Sequence, residues 1–217
     1  MKELCEHLKR EGMLKTDNVY KALMSVDRAD FAPDRPYADS PQPINFNVTI
    51  SAPHMHAYCL ELLKDHLKEG GKALDIGFGS GYLTVAMSKM MKDNGKVVGI
   101  EHIKELCNFA KENISKNHKN LLDSEKLILI EGDGRKGYKE LGPYNCIHVG
   151  AAAPEMPKSL VEQLAEGGRL VIPVGPQGGS QYIYIIDKDK NGKINQRREL
   201  GVSYVPLTSV NKQLKGY

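Results

Sequence analysis

Apolar residues recur at two rhythms along this chain, and the change between them divides it. Over the first 70 residues the spacing is helical. Leu4 and Leu8 share one face of an opening helix, and Val19, Leu23 and Val26 repeat an i, i+4, i+7 stripe behind a Thr16-Asp17 start signal. Phe31 to Pro43, rich in Pro, Asp and Ser, predicts a loop. A third helix is expected from Pro53, since proline suits a first turn, with Leu60, Leu63 and Leu67 on its buried face.

At Lys72 the rhythm shortens. Ala73 to Ile76 predicts a buried strand running into Gly77-Phe78-Gly79-Ser80-Gly81, with a helix over Leu83 to Met91. Lys96 to Ile100 predicts a second strand ending at Glu101, then a helix from Ile103 to Lys116. Third and fourth strands are expected over Lys126 to Ile130 and Tyr144 to Val149. Pro157 opens a helix carrying Leu160, Val161 and Leu164, and Gly168 to Val174 makes a fifth strand. Strands alternating with helices at this spacing imply an α/β fold, a doubly wound and mainly parallel sheet with helices on both faces. Beyond Gly175 the pattern changes again. Tyr182 to Ile186, a turn at Asp189-Lys190-Asn191-Gly192, a further extended segment and a final strand over Gly201 to Leu207 predict an antiparallel edge. One domain over residues 1–217 is expected: a helical cap (1–70), an α/β core (71–175) and the antiparallel edge with a C-terminal segment (176–217), with no repeat or linker between them.

Composition narrows the class. Hydrophobic residues at 41% are enough to build a core in a chain of 217. The net charge of +3 is spread among mixed signs, so no partner among nucleic acids or anionic membranes is expected. Cys5, Cys59, Cys107 and Cys146 lie far apart without zinc-ligand spacing, which predicts mostly buried free thiols in a reducing compartment and no metal. Met1 to Arg10 is charged and lacks the apolar run of a signal peptide, and no stretch nears the roughly twenty apolar residues of a membrane span. A cytosolic protein is expected, and a monomer, since no segment offers an obvious dimer face.

The chemistry concentrates at strand ends. Glycines after a buried strand let the chain turn sharply and a ligand lie against the backbone. Glu101, about twenty residues on and ending the next strand, sits where a carboxylate accepts ribose hydroxyls. A dinucleotide fingerprint needs its third glycine one position later, where Tyr82 stands. Asp75 at the loop entrance would repel phosphates and attract an ammonium group, and Asp133, between Gly132 and Gly134, could accept from an adenine amino group. The expected ligand is a nucleoside without a pyrophosphate. Upstream lies Thr49-Ile50-Ser51-Ala52-Pro53-His54-Met55-His56. By position alone Ser51 is best read as the N-cap of the third helix. A Ser-His pair lacks the G-x-S-x-G elbow, and His54 and His56, two apart on a helix, cannot share one metal ion. His148 is expected to be a buried histidine with its hydrogen bonds satisfied.

Taken together these segments resemble the protein-L-isoaspartate O-methyltransferase family, in its animal and plant branch, from about Glu3 to Gln213. The likeness is carried by Asp39-Ser-Pro-Gln42, Thr49 to Ala57, Gly132-Asp-Gly-Arg135, Ile147 to Pro154, Gly167-Gly-Arg-Leu170 with Pro173-Val-Gly175, and Tyr204-Val-Pro-Leu-Thr208. The glycine loop is common to many methyltransferases, whereas Ser51-Ala-Pro-His-Met-His56 is specific to this family. The resemblance implies a class I, Rossmann-like fold, S-adenosylmethionine as methyl donor, S-adenosylhomocysteine as product, and isoaspartyl proteins and peptides as partners. Ser51 would be the active-site hydroxyl. Thr49, Ile50 and His56 would enclose the cofactor, with Asp75, Gly77 and Gly79 at its methionine part. Glu101 and His102 would hold the ribose, Asp133 and Gly134 the adenine, and Thr208 and Gln213 would close the pocket. Two positions depart from the family pattern: Phe78 replaces a small residue, and Glu101 replaces the more frequent Asp. The alternatives are a methyltransferase with another acceptor, or a non-catalytic adaptor whose relatives carry a C-terminal extension beyond the point where this chain stops.

Overall fold

The computed structural model describes residues 1–92 and 94–216. Three helices open the chain where the apolar stripes predict them: α1 (Lys2–Arg10), α2 (Asp17–Met24) and α3 (Pro53–Leu63). Leu67 lies past the end of α3 but is still buried. At the end of the expected loop Gln42–Pro43 (β1) pairs antiparallel with Thr49–Ile50 (β2), which lies beyond it; both strands are too short to show an alternation in sequence. The turn between them passes through Asn45, Phe46 and Asn47, all at positive φ (73°, 52° and 57°). Asparagine tolerates that region; phenylalanine enters it only under constraint from its surroundings.

The remainder is built on a seven-stranded sheet. Its strands are β3 (Lys72–Ile76), β4 (Lys96–Glu101), β5 (Leu127–Glu131), β6 (Tyr144–Val149), β7 (Leu164–Val174), β8 (Gln181–Lys188) and β9 (Ile194–Val202), in the spatial order β5-β4-β3-β6-β7-β8-β9. β3 to β7 run parallel and β8 and β9 antiparallel, as expected for a doubly wound sheet with an added edge. Interposed helices are α4 (Tyr82–Met90), α5 (Lys104–Asn117), α6 (Lys119–Asp123) and α7 (Lys158–Glu162). Two apolar layers follow from the sheet's alternation. Ala73, Val97 and Cys146 pack beneath α1 to α5, while Leu74, Ile76, Val98, Ile147 and Val149 pack on the face that carries Leu160 of α7. No described helix is long and apolar enough to cross a membrane.

Four expectations need correction. Leu164 opens β7 instead of ending the preceding helix, because α7 closes at Glu162. No separate strand runs from Gly201 to Leu207: Gly201 and Val202 end β9, and beyond them only an isolated bridge joins Pro206 to Ala152. Proline cannot donate to a ladder; instead Leu207 N–H donates to Ala152 O and Ala152 N–H to Val205 O, so this segment crosses the end of β6. α6 was not expected, nor was α8 (Val210–Lys215), whose short polar sequence carries little helical stripe.

Candidate active site

The strand order reverses at β3, which has β4 on one side and β6 on the other, and a crevice opens at the carboxyl ends of these strands. Gly77, Gly79 and Gly81 all take positive φ (73°, 52° and 87°), which a side chain would strain. Their turn lines two chambers that meet at Gly77 and Gly150.

The larger chamber, about 460 Å³, is bounded by Glu101, His102, Gly134, Thr208 and Gln213. Glu101 ends β4 and is 5% exposed. Its Oε2 accepts from Gly79 N–H (3.2 Å) and its Oε1 from His102 N–H (2.8 Å) and Ile103 N–H (3.2 Å). Burial pushes this carboxyl above its ordinary value, against the pull of His102 and the three amides. The result is a carboxylate fixed in orientation at a chamber wall, suited to a pair of hydroxyls. Across the opening, Gln213 Nε2 donates to Phe46 O and Asn47 O (both 3.1 Å) and Asn47 Nδ2 donates to Gln213 O (3.1 Å). This latch joins the C-terminal segment to the β1–β2 turn, and it accounts for the constrained backbone there.

The second chamber, about 360 Å³, is lined by Thr49, Ile50, Ser51, His56, Tyr82 and His148, among others. Asp75 points to the α4 side of β3, opposite Leu74 and Ile76. There Thr84 Oγ1 donates to its Oδ2 (2.7 Å), and His148, its cross-strand neighbour on β6, contacts Oδ1 through Nδ1 (2.8 Å). Burial alone would depress His148, but the hydrogen bonds to Asp75 and Cys59 raise it to about 10, so it is an imidazolium at neutral pH. His148 is thus buried and partnered as expected, yet it also faces the chamber. Tyr204 lies beside Ser51 and Cys59, and burial pushes its phenol well above the ordinary value.

Ser51 does not cap α3. The N-cap is Ala52, and no side chain of that residue serves the helix end. Asp39, from the preceding loop, does this instead, its Oδ1 accepting from both the backbone N–H and Nδ1 of His54 (2.9 Å each). The Ser51 hydroxyl therefore serves no helix end; it stands in the lining of the second chamber, within hydrogen-bond contact of the Tyr204 side chain.

All the expected site residues line one of these chambers except Asp133. It lies outside on the rim with both oxygens held by Arg135 (2.8 and 2.7 Å), which keeps its carboxyl below the ordinary value. Phe78 does not fill the crevice. Its ring packs over Gly99 of β4, where a Cβ would stand 2.7 Å from Phe78 Cδ1. Sequence reasoning missed Tyr82, Gly150 and Tyr204, and also Arg28, whose guanidinium reaches Ser51 and His56 from a 3-10 turn far away in the chain. No local spacing signals these residues.

The profile of the family described as protein-L-isoaspartate(D-aspartate) O-methyltransferase matches residues 1–212. A protein-L-isoaspartate O-methyltransferase of Caenorhabditis elegans is 52% identical over 97% of this chain and 93% of its own length. One from Triticum aestivum is 50% identical over 98% and 93%. A crystal structure from Plasmodium falciparum, described as a protein of this kind in complex with S-adenosyl-L-homocysteine, superposes with a TM-score of 0.90 at 42% identity, covering 95% of this chain and 97% of that one.

Proposed function

Because this chain belongs to the protein-L-isoaspartate(D-aspartate) O-methyltransferase family, we propose that its two chambers divide the work of one methyl transfer. The protein methylates the free α-carboxylate of L-isoaspartyl residues in damaged proteins, giving a methyl ester and S-adenosylhomocysteine. The Glu101 chamber takes the nucleoside: Glu101 and His102 hold the ribose, Gly134 with Asp133 at the rim borders the adenine, and Thr208 and Gln213 close over it. Gly77 and Gly79 pass the methionine chain to the second chamber, where Thr49, Ile50, His56 and Asp75 enclose its end and Ser51 meets the acceptor. Asp75 acts there through its pair with His148 and Thr84, since it is only 1% exposed.

S-adenosylmethionine, when bound, supplies an electrophilic methyl on a sulfonium. An α-carboxylate titrates near 3.5 and is already ionised at neutral pH, so the reaction needs no general base. The carboxylate oxygen forms the new bond to the methyl carbon as the sulfur–carbon bond breaks, and sulfur keeps the electron pair as a neutral thioether. What the chain contributes is alignment, which lowers a barrier by roughly 7–11 kcal/mol at best. Ser51 orients the carboxylate by a hydrogen bond, and the His148–Asp75 pair, neutral as a whole, keeps a bare Asp75 carboxylate from facing it. D-aspartyl acceptors are proposed as a second, poorer class. The protein is proposed to work as a cytosolic monomer without nucleic-acid or membrane partners, in keeping with its mixed surface charge.

The observation that carries this reading is the Ser51 hydroxyl, released from helix capping by Asp39 and set in a chamber continuous with the Glu101 site at Gly77. The test uses labelled methyl donor and two peptides that differ only in Asp versus isoAsp. Base-labile methyl esters on the isoAsp peptide alone are expected, with kcat lowered roughly a hundredfold in Ser51→Ala and the Kd for S-adenosylhomocysteine unchanged. Full turnover in that variant removes Ser51 from the reaction.

A further inference from the structure

Arg28 is fully buried (0% exposed), and no ion pair among the described residues includes it. Burial lowers its guanidinium to about 10, which leaves it charged at neutral pH. Asp39 supplies only a longer-range Coulombic pull and no ion pair, so the desolvated cation is costly, and perturbed groups of this kind cluster at functional sites. The polar contacts of Arg28 are confined to the walls of the Ser51 chamber. Nη2 donates to Ser51 O (2.6 Å), Nη1 lies 3.1 Å from His56 Nδ1, and the guanidinium sits 5.1 Å from the Tyr82 ring centroid. Its Nε has no partner.

These contacts fix the state of His56. A guanidinium has no lone pair to accept with, so the ring nitrogen it touches must be the unprotonated one. Burial, with Arg28, His148 and His54 around the ring, holds His56 well below its ordinary value, so the imidazole is neutral. Its single proton therefore sits on Nε2. His56 lines the chamber beside Ser51, and no described residue accepts from Nε2.

We propose that Arg28 is a positioning residue which locks His56 in the Nε2–H tautomer and pins the Ser51 carbonyl, so that one donor and a buried positive potential face a carboxylate in this chamber. The reaction brings two carboxylates to the cleft, that of the isoaspartyl residue and that of the donor's methionine chain. The inference rests on the reading of the Ser51 chamber given above, but its first test needs neither ligand.

That test is the 15N-edited NMR spectrum of the unliganded protein, with His56 assigned by the signals lost in His56→Gln. A protonated Nε2 and bare Nδ1 are expected. A protonated Nδ1 overturns the proposal whatever the outcome of the peptide assay, and if Arg28→Met does not fold, this wild-type spectrum decides alone. In a folded Arg28→Met protein the tautomer preference should be lost and binding of the carboxylate weakened roughly ten- to a hundredfold, the worth of a hydrogen bond to a charged group. Arg28→Lys should recover part of both. A merely structural role would lower Tm and leave the tautomer alone. If the Kd of S-adenosylhomocysteine rises while that of its analogue lacking the amino-acid carboxylate does not, the carboxylate served is the donor's. If KM for the isoAsp peptide rises at unchanged Kd, it is the peptide's. Neither constant moving in Arg28→Met would overturn the proposal.

Discussion

Phe78 and Gly99 behave as one unit. The ring that departs from the family's usual small residue occupies the space a side chain at 99 would need, with Leu129 Cδ2 3.2 Å from the same point. Gly99→Ala should therefore destabilise the protein by about 1–3 kcal/mol through overpacking and push the ring toward the Ser51 chamber, which Phe78 lines. Phe78→Ser should recover much of that loss in the double variant, a non-additivity readable by urea unfolding of the four proteins in the cycle. Independent effects would show that the two residues do not share the space. Glu101 carries a second expectation at this scale. Its oxygens are already oriented by three backbone amides, so it can accept ligand hydroxyls without reorganising. Glu101→Ala should raise the Kd of S-adenosylhomocysteine roughly ten- to a hundredfold, measured by calorimetry. An unchanged Kd would refute the ribose assignment.

Among the elements, α2 and α3 are joined by one carboxylate. Glu61 of α3 accepts from the backbone of Lys15 (2.8 Å) and Thr16 (2.7 Å), from the Thr16 hydroxyl and from Lys64. Thr16 makes no side-chain cap of its own, so Glu61 organises the start of α2. Burial raises the Glu61 carboxyl, but these hydrogen bonds outweigh it and hold it below its ordinary value of 4.5. A folded-state value below the unfolded one means that the stabilisation is present above about pH 4.5 and is lost as pH falls through the folded value. Glu61→Gln should lower Tm at neutral pH, and the gap to the parent should close in acid. A gap independent of pH would exclude the linkage. The same pair of helices shows what periodicity could reveal. Their apolar stripes and the Thr16-Asp17 signal were legible, because each is written within about two turns of chain. The tether was not, since Glu61 stands 45 residues from Thr16 and reads like any polar helix position.

For the molecule as a whole, the parallel core was legible because buried strands alternate with striped helices at regular intervals. The glycine loop and Glu101 could be placed at the carboxyl-end crevice for the same reason: each follows a strand directly. The segments that close the crevice were not legible. The stretch expected as a strand, Gly201 to Leu207, leaves the sheet after Val202 and is held by Ala152 across the end of β6, and the Gln213 latch links positions 166 and more residues apart. Gln213→Ala should loosen both sides at once, with roughly tenfold weaker binding of S-adenosylhomocysteine and faster proteolytic nicking near residues 45–47. Unaltered cleavage would mean that the turn holds itself. Because β9 ends at Val202 while Thr208 and Gln213 wall the Glu101 chamber, the scaffold and its ligand site are finished at different moments of synthesis. A chain ending at Val202 would carry all seven strands of the main sheet and neither Thr208 nor Gln213, so the scaffold and the grip on the methyl donor are written in separable stretches of chain.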